Sequence, residues 1–162
     1  MVDEPLASMP EGVDEAAWDA ACAAVRAYCG WHVAPSVTQT ITVDGPGGSL
    51  LFLPTLHLTD VSSITSDGTA VTDPEWSEAG MVRGSWTERF RGVTVTMTHG
   101  YTSCPDEIVG VLREAADRGV EGSAVSQVGQ VRAGGVGGVP GAASFMLEQR
   151  AVLDRYKLPP RP

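Results

Sequence analysis

Two half-sites in this sequence could do chemistry together: Cys29-x2-His32 and His99-x4-Cys104. Two thiolates and two imidazoles are the ligand set of a closed, tetrahedral structural zinc site. The same residues fit a second reading, in which Trp31-His32 and His99-Gly100-Tyr101 are packed, hydrogen-bonded hinges. Irregular half-sites are weaker signals than paired C-x2-C motifs, so the hinge reading is favoured.

Other candidate chemistry is thinner. Cys104 precedes Pro105 at a predicted helix start, where a thiol pKa can be lowered, against the plainer role of a half-buried cap. No G-x-S-x-G elbow is present, and none of the three histidines has a local Ser or Cys partner in a recognisable setting. The acids Glu11, Asp14, Glu15, Asp106 and Glu107 sit at predicted helix starts, where the helix dipole accounts for them. The glycine run Gly134–Gly141 lacks a following Gly-Lys-Ser/Thr and reads as a linker, not a phosphate loop. Neither a catalytic centre nor a cofactor site is expected.

Two helical segments frame these half-sites. Asp14 is a candidate N-cap, after which Trp18, Ala21, Cys22, Val25, Tyr28 and Cys29 recur at helical spacing until Gly30, predicting a helix over 14–29. Pro105 suits a first helical position, and Ile108, Val111, Leu112, Ala115 and Ala116 form the apolar stripe of a helix over 105–118, ended by Gly119. A last helix from about Ala142 to Tyr156 is followed by a basic tail. Residues 119–141 read as a glycine-rich, flexible arm, of which Ser126 to Arg132 could extend.

Between the first two helices the period changes to two. Val37, Gln39, Ile41 and Val43 alternate with threonines, as do Val93, Val95 and Met97, which bounds a β insertion over 37–99. Ser49 to Leu53 reads as the partner strand following the Asp44–Gly48 turn. Leu56 to Thr65 reads as a further strand, with an apolar phase slip that a bulge near Asp60 would explain. Asp67-Gly68 signals a hairpin, and Glu75 to Trp86 supplies one or two short strands. The expected fold is α+β: one domain, a small helical bundle carrying an antiparallel insertion.

The totals set limits on function. At 162 residues, with 43% hydrophobic and 19% charged residues, the chain suits a globular domain that needs no disulfide. Cys22 and Cys29, two helical turns apart, lie too far from each other to pair, and reduced thiols are expected. No apolar run approaches the length of a membrane span, and the acidic start is unlike a secretory signal, so synthesis in the cytoplasm is expected. A net charge of −9 argues against general nucleic-acid binding. Residues 1–24 hold six acids and no base, whereas Arg150, Arg155, Lys157 and Arg161 face only Asp154 near the other end, a distribution that suits head-to-tail contacts as well as solvated termini. Trp18 and Trp31 are expected in the core. Trp76 and Trp86 lie in turn-rich segments where subunit contacts recruit aromatics, although core packing is the commoner fate.

Several stretches together resemble the head-to-tail adaptor (connector) proteins of long-tailed bacteriophages, those of actinobacterial phages in particular. They are Tyr28-Cys29-Gly30-Trp31-His32-Val33-Ala34-Pro35, Leu53-Pro54-Thr55 with the Asp67-Gly68 hairpin, Thr98-His99-Gly100-Tyr101 leading through Pro105, and Leu153-Asp154-Arg155-Tyr156-Lys157-Leu158-Pro159. The resemblance implies a non-enzymatic virion protein. It would form a ring, usually of twelve copies, between portal and stopper at the capsid–tail neck, with the genome passing through. It also implies portal contacts through the C-terminal segment, with Phe145, Arg150, Arg155, Tyr156, Lys157 and Arg161 as candidates; Trp76 and Trp86 are candidate subunit contacts on their aromatic character alone. Another neck or tail-completion protein, or a small zinc module or enzyme, are the alternatives.

Overall fold

A computed structural model describes residues 4–125 and 145–160, with the side chains of 120–125 excepted. It has the expected α+β composition, and the chain divides into two compact units at Gly30/Trp31, Ser103/Cys104 and Lys157/Leu158. The first two boundaries fall at the junctions marked by the half-sites.

The first unit is helical. Helix α1 spans Glu15–Cys29: the Asp14 carboxylate accepts a hydrogen bond from the Ala17 amide, and Gly30 ends the helix at φ 81° by donating to the Arg26 carbonyl. Its buried face is Trp18, Ala21, Cys22, Val25 and Cys29. Helix α2 spans Asp106–Val125 and buries Ile108, Val111, Leu112, Ala115 and Ala116. It therefore runs past Gly119, where a stop was expected. A Cβ there would lie 3.6 Å from Ala17 Cβ, so the glycine sits inside a close helix–helix approach and costs only propensity. The proposed arm thus begins as helix, and its residues 126–141, including Gly134–Gly141, lie outside the described residues.

Helix α3 is shorter than expected, spanning Leu147–Leu153 and tightening into a 3-10 turn over Asp154–Tyr156. Buried Gln149 fastens it. Its side-chain oxygen accepts from the Met146 amide (3.0 Å) and from Arg118 (2.7 Å), and its nitrogen donates to Glu114 (2.7 Å), so one polar side chain both caps α3 and ties it to α2.

The second unit is β. Seven strands, β1 (Val37–Val43), β2 (Leu50–Phe52), β3 (Leu58–Ser66), β4 (Thr69–Ala70), β5 (Glu75–Trp76), β6 (Met81–Arg83) and β7 (Val93–His99), form two antiparallel sheets ordered β1-β7-β3-β4 and β2-β6-β5. The hairpin partner expected for β1 is wrong: β1 pairs with β7 from Val37↔His99 to Val43↔Val93, while β2 pairs with β6 in the other sheet. The glycines of the Asp44–Gly48 stretch do not close a hairpin. Gly45 and Gly47 donate to the carbonyls of Arg89 and Thr87, which carries the chain from one sheet to the other. Register shifts on either side of Asp60–Val61 account for the phase slip in β3. Asp67 (φ 51°) and Gly68 (φ 79°) both take the left-handed conformation that a two-residue hairpin requires.

Between the sheets lies one apolar cluster: Leu51, Leu53, Leu58, Ile64, Val82, Trp86, Val93, Val95 and Met97. Trp86 belongs to this cluster, which removes it from any surface role. On the opposite face of the larger sheet, Thr38 and Thr40 of β1 bond the hydroxyls of Thr98 and Thr96 across the strand boundary. Leu112→Ala in the helical unit and Leu58→Ala in the β unit should each cost about 2–5 kcal/mol, measured by urea unfolding.

Candidate functional site

The strand order brings all three histidines of the chain to one end of the larger sheet. His99 ends β7, beside Val37 of β1 and Leu58 of β3. His57 immediately precedes β3, and His32 lies on the segment entering β1. His32 and His99 rings stand 5.8 Å apart, and Trp31 lies 6.4 Å from His99 and 6.1 Å from Tyr101. Tyr101 stacks on His57 at 4.4 Å, and His57 Nδ1 meets the Glu78 carboxylate at 2.6 Å.

Backbone conformation locks this corner. Val33 is fully buried at φ 66°, an uncommon conformation for a β-branched residue, and its carbonyl accepts from the Tyr101 amide. Gly100, at φ 99°, fits because an added Cβ would come within 3.1 Å of the Pro35 carbonyl and 3.2 Å of that of Val33. The His32 ring nitrogen bonds the Pro35 carbonyl at 2.6 Å.

His99 is 1% exposed. The Gln39 amide nitrogen donates to its Nε2 at 2.8 Å, which leaves the ring proton on Nδ1, buried without an acceptor among the described residues. Burial, with the His32 ring alongside, pushes the imidazole down to about 4. A neutral, packed imidazole suits a hinge residue.

Among the described residues no group of three or more His, Cys, Asp or Glu is placed to hold a metal ion. His32 and His99 spend their Nε2 atoms on Pro35 and Gln39, while Cys29 and Cys104 are free, buried thiols of the helical unit. Burial pushes Cys29 up to about 11 and Cys104 up to about 12. Apolar surroundings thus outweigh the place of Cys104 before a helix, which agrees with the plainer reading of a packed thiol.

The C-terminal candidates divide. Phe145 is buried, edge-on to Tyr28 at 5.7 Å, so it is a core residue and not a docking one. The Tyr28 hydroxyl donates to Asp154 at 2.7 Å, and that bond raises the phenol's pKa. Lys157 sits over the Tyr28 ring at 4.9 Å, and Arg155 reaches the Glu107 carboxylate at 3.1 Å. Arg150 is exposed and Tyr156 half-buried, Trp76 lies exposed in the β unit, and Arg161 falls outside the described residues.

No family model and no curated protein matches this sequence. Solved structures with a similar fold include chains from two neck reconstructions. A chain in the neck of a native GTA (gene transfer agent) particle, computed with C12 symmetry, aligns with TM-score 0.60 and 16% identity over 93% of this chain and 86% of that one. A chain in the neck of an empty GTA particle, computed with C6 symmetry, aligns with TM-score 0.51 and 16% identity over 98% and 86%. No helix among the described residues is long and apolar enough to cross a membrane.

What sequence spacing missed was His57, whose partners Glu78 and Tyr101 are 21 and 44 positions away. Only the strand order connects them. Because His99 is held neutral when folded but titrates near its ordinary value of 6.5 when unfolded, the unfolded chain binds more protons between about pH 6.5 and 4. Stability should therefore be full above pH 6.5 and fall through that window by up to a few kcal/mol, a loss that His99→Gln should largely remove in urea titrations at pH 7 and 4.5.

Proposed function

We propose that this protein is a structural neck component, a ring-forming adaptor that joins a capsid portal to the stopper or tail of a phage-like particle. The observation that carries this reading is the fold shared over 93% of the chain with a neck component of a GTA particle. The adaptor-like stretches of sequence, from Tyr28-Cys29-Gly30-Trp31-His32 to Leu153-Asp154-Arg155-Tyr156, support it independently, including its placement with actinobacterial long-tailed phages.

Under this reading the protein is no enzyme, binds no cofactor and resides in the virion. The ring would hold about twelve copies, by analogy with the C12 symmetry of the related neck. The genome would pass through the ring without sequence-specific binding. A net charge of −9 suits that task, because carboxylates repel phosphates and keep the DNA from adhering. Polar termini of opposite sign suit the heterologous contacts that close a ring.

Portal docking is assigned to the C-terminal segment, through Arg150, Arg155, Tyr156, Lys157 and Arg161, and subunit contact to exposed Trp76. Arg155 and Lys157 are surface residues whose partners Glu107 and Tyr28 lie in the same helical unit, so each pair contributes only about 0–1 kcal/mol to stability. Deleting Leu158–Pro162 together with Arg155→Ser and Lys157→Ser should weaken portal binding about tenfold or more, the equivalent of ~1.4 kcal/mol, while moving the unfolding free energy by only about 1–2 kcal/mol. Unchanged binding in a portal pull-down titration would reject the docking assignment.

A further inference from the structure

At the end of the β unit remote from the histidines, a turn holds a nearly bare aromatic side chain. Phe90 is 87% exposed, the most exposed large hydrophobic side chain among the described residues. It stands between Arg89 and Arg91 on the turn closed by the Gly92 amide and the Arg89 carbonyl at 3.1 Å.

This turn is fixed on several sides. The Asp44 carboxylate accepts from the Arg91 amide at 2.7 Å, and the Gly45 and Gly47 amides donate to the Arg89 and Thr87 carbonyls. The Asp67 amide donates to the Gly92 carbonyl, and the Asp67 carboxylate pairs with the Arg89 guanidinium. Glycines stand where the loops touch: a Cβ on Gly45 would lie 2.0 Å from the Thr87 carbonyl oxygen, and one on Gly92 would lie 2.6 Å from Thr87 Cγ2. Arg91 itself is held at φ 53°, a conformation a non-glycine residue adopts at a cost. Such bracing does nothing to bury Phe90. A rigid, exposed aromatic flanked by arginine matches the composition of interface hot spots, and its pre-ordering lowers the entropy cost of docking.

We propose that the Arg89-Phe90-Arg91 turn docks onto a second copy of this chain, against the acidic segment from Met9 to Asp19. Charge complementarity selects this partner. That segment exposes Glu11, Asp14, Glu15 and Asp19 with no base, and Met9, 47% exposed, supplies an apolar surface for the ring. Arg91 supplies the charge for this contact, Arg89 being paired with Asp67, and DNA is the poorer partner because one available arginine is no phosphate-binding cluster and the turn's main feature is an apolar ring. The contact joins a β-unit surface to a helical-unit surface of another molecule, so it is heterologous, as ring closure requires. It rests on the ring reading and deepens it by naming the subunit contact.

The test uses the full-length chain with p-benzoylphenylalanine at position 90, irradiated alone and with portal present, and mapped by mass spectrometry. Cross-links should join position 90 of one copy to Met9–Asp19 of another. Phe90→Ser, which removes no intramolecular packing, should lower the ring fraction at least tenfold at a fixed concentration while leaving the unfolding midpoint unchanged. Rings that persist with Phe90→Ser, or cross-links to DNA, to portal or to another part of a neighbouring copy, would overturn the contact and leave the ring reading standing. A wild-type protein that forms no ring under either condition would remove both.

Discussion

The β unit depends on one pairing, that of β7 with β1. Seven consecutive residue pairs join segments about sixty positions apart, and β3 pairs with the other edge of β7. Burying Val93, Val95 and Met97 from this central strand drives closure, since the hydrophobic gain must exceed the loop entropy of a long connection. The geometry has a further consequence. The first and last strands of the insertion are neighbours, so the unit begins and ends at one end of the larger sheet, where Trp31, His32, His99 and Tyr101 converge. The Nδ1 of His99, without a partner among the described residues, and the left-handed Val33 are costs that this closure has to carry.

In the helical unit Gln149 has the corresponding role. A short helix of seven residues has little stability of its own. Its place is set by bonds from Gln149 to Arg118 and Glu114, reinforced by Tyr28 with Phe145 and Asp154. The result is a C-terminal segment whose apolar anchors Phe145 and Leu153 are buried while Arg150, Arg155 and Lys157 remain at the surface. That division would let the segment dock as proposed without loosening its own unit.

Local signals in the sequence were legible where the physics was local. The limits of α1, the bounds 37 and 99 of the insertion, the Asp67-Gly68 turn and the bulge region near Asp60 all follow from caps, alternation and backbone conformation within a few residues. Long-range choices were hidden. That β1 pairs with β7 instead of the strand after Gly48, that Trp86 and Phe145 are core, and that α2 passes through Gly119 beside Ala17 each depend on residues far along the chain. The half-sites Cys29-x2-His32 and His99-x4-Cys104 lie at the unit boundaries, but spacing could not reveal that one domain would divide there or that Gln39 and Pro35 bond the histidines. The Phe90 turn carries no sequence signal, because a lone aromatic between arginines has no periodicity.

The proposed function joins an acidic chain to a fold shared with GTA neck proteins. The three thiols and His99 are buried, which leaves the surface for the assembly that reading proposes. Ring formation is its central claim, and mass photometry of the purified protein, alone and mixed with portal, tests that claim most directly. The account predicts a species of about twelve chains, docked on portal when portal is present. A protein that remains monomeric in both samples would contradict it.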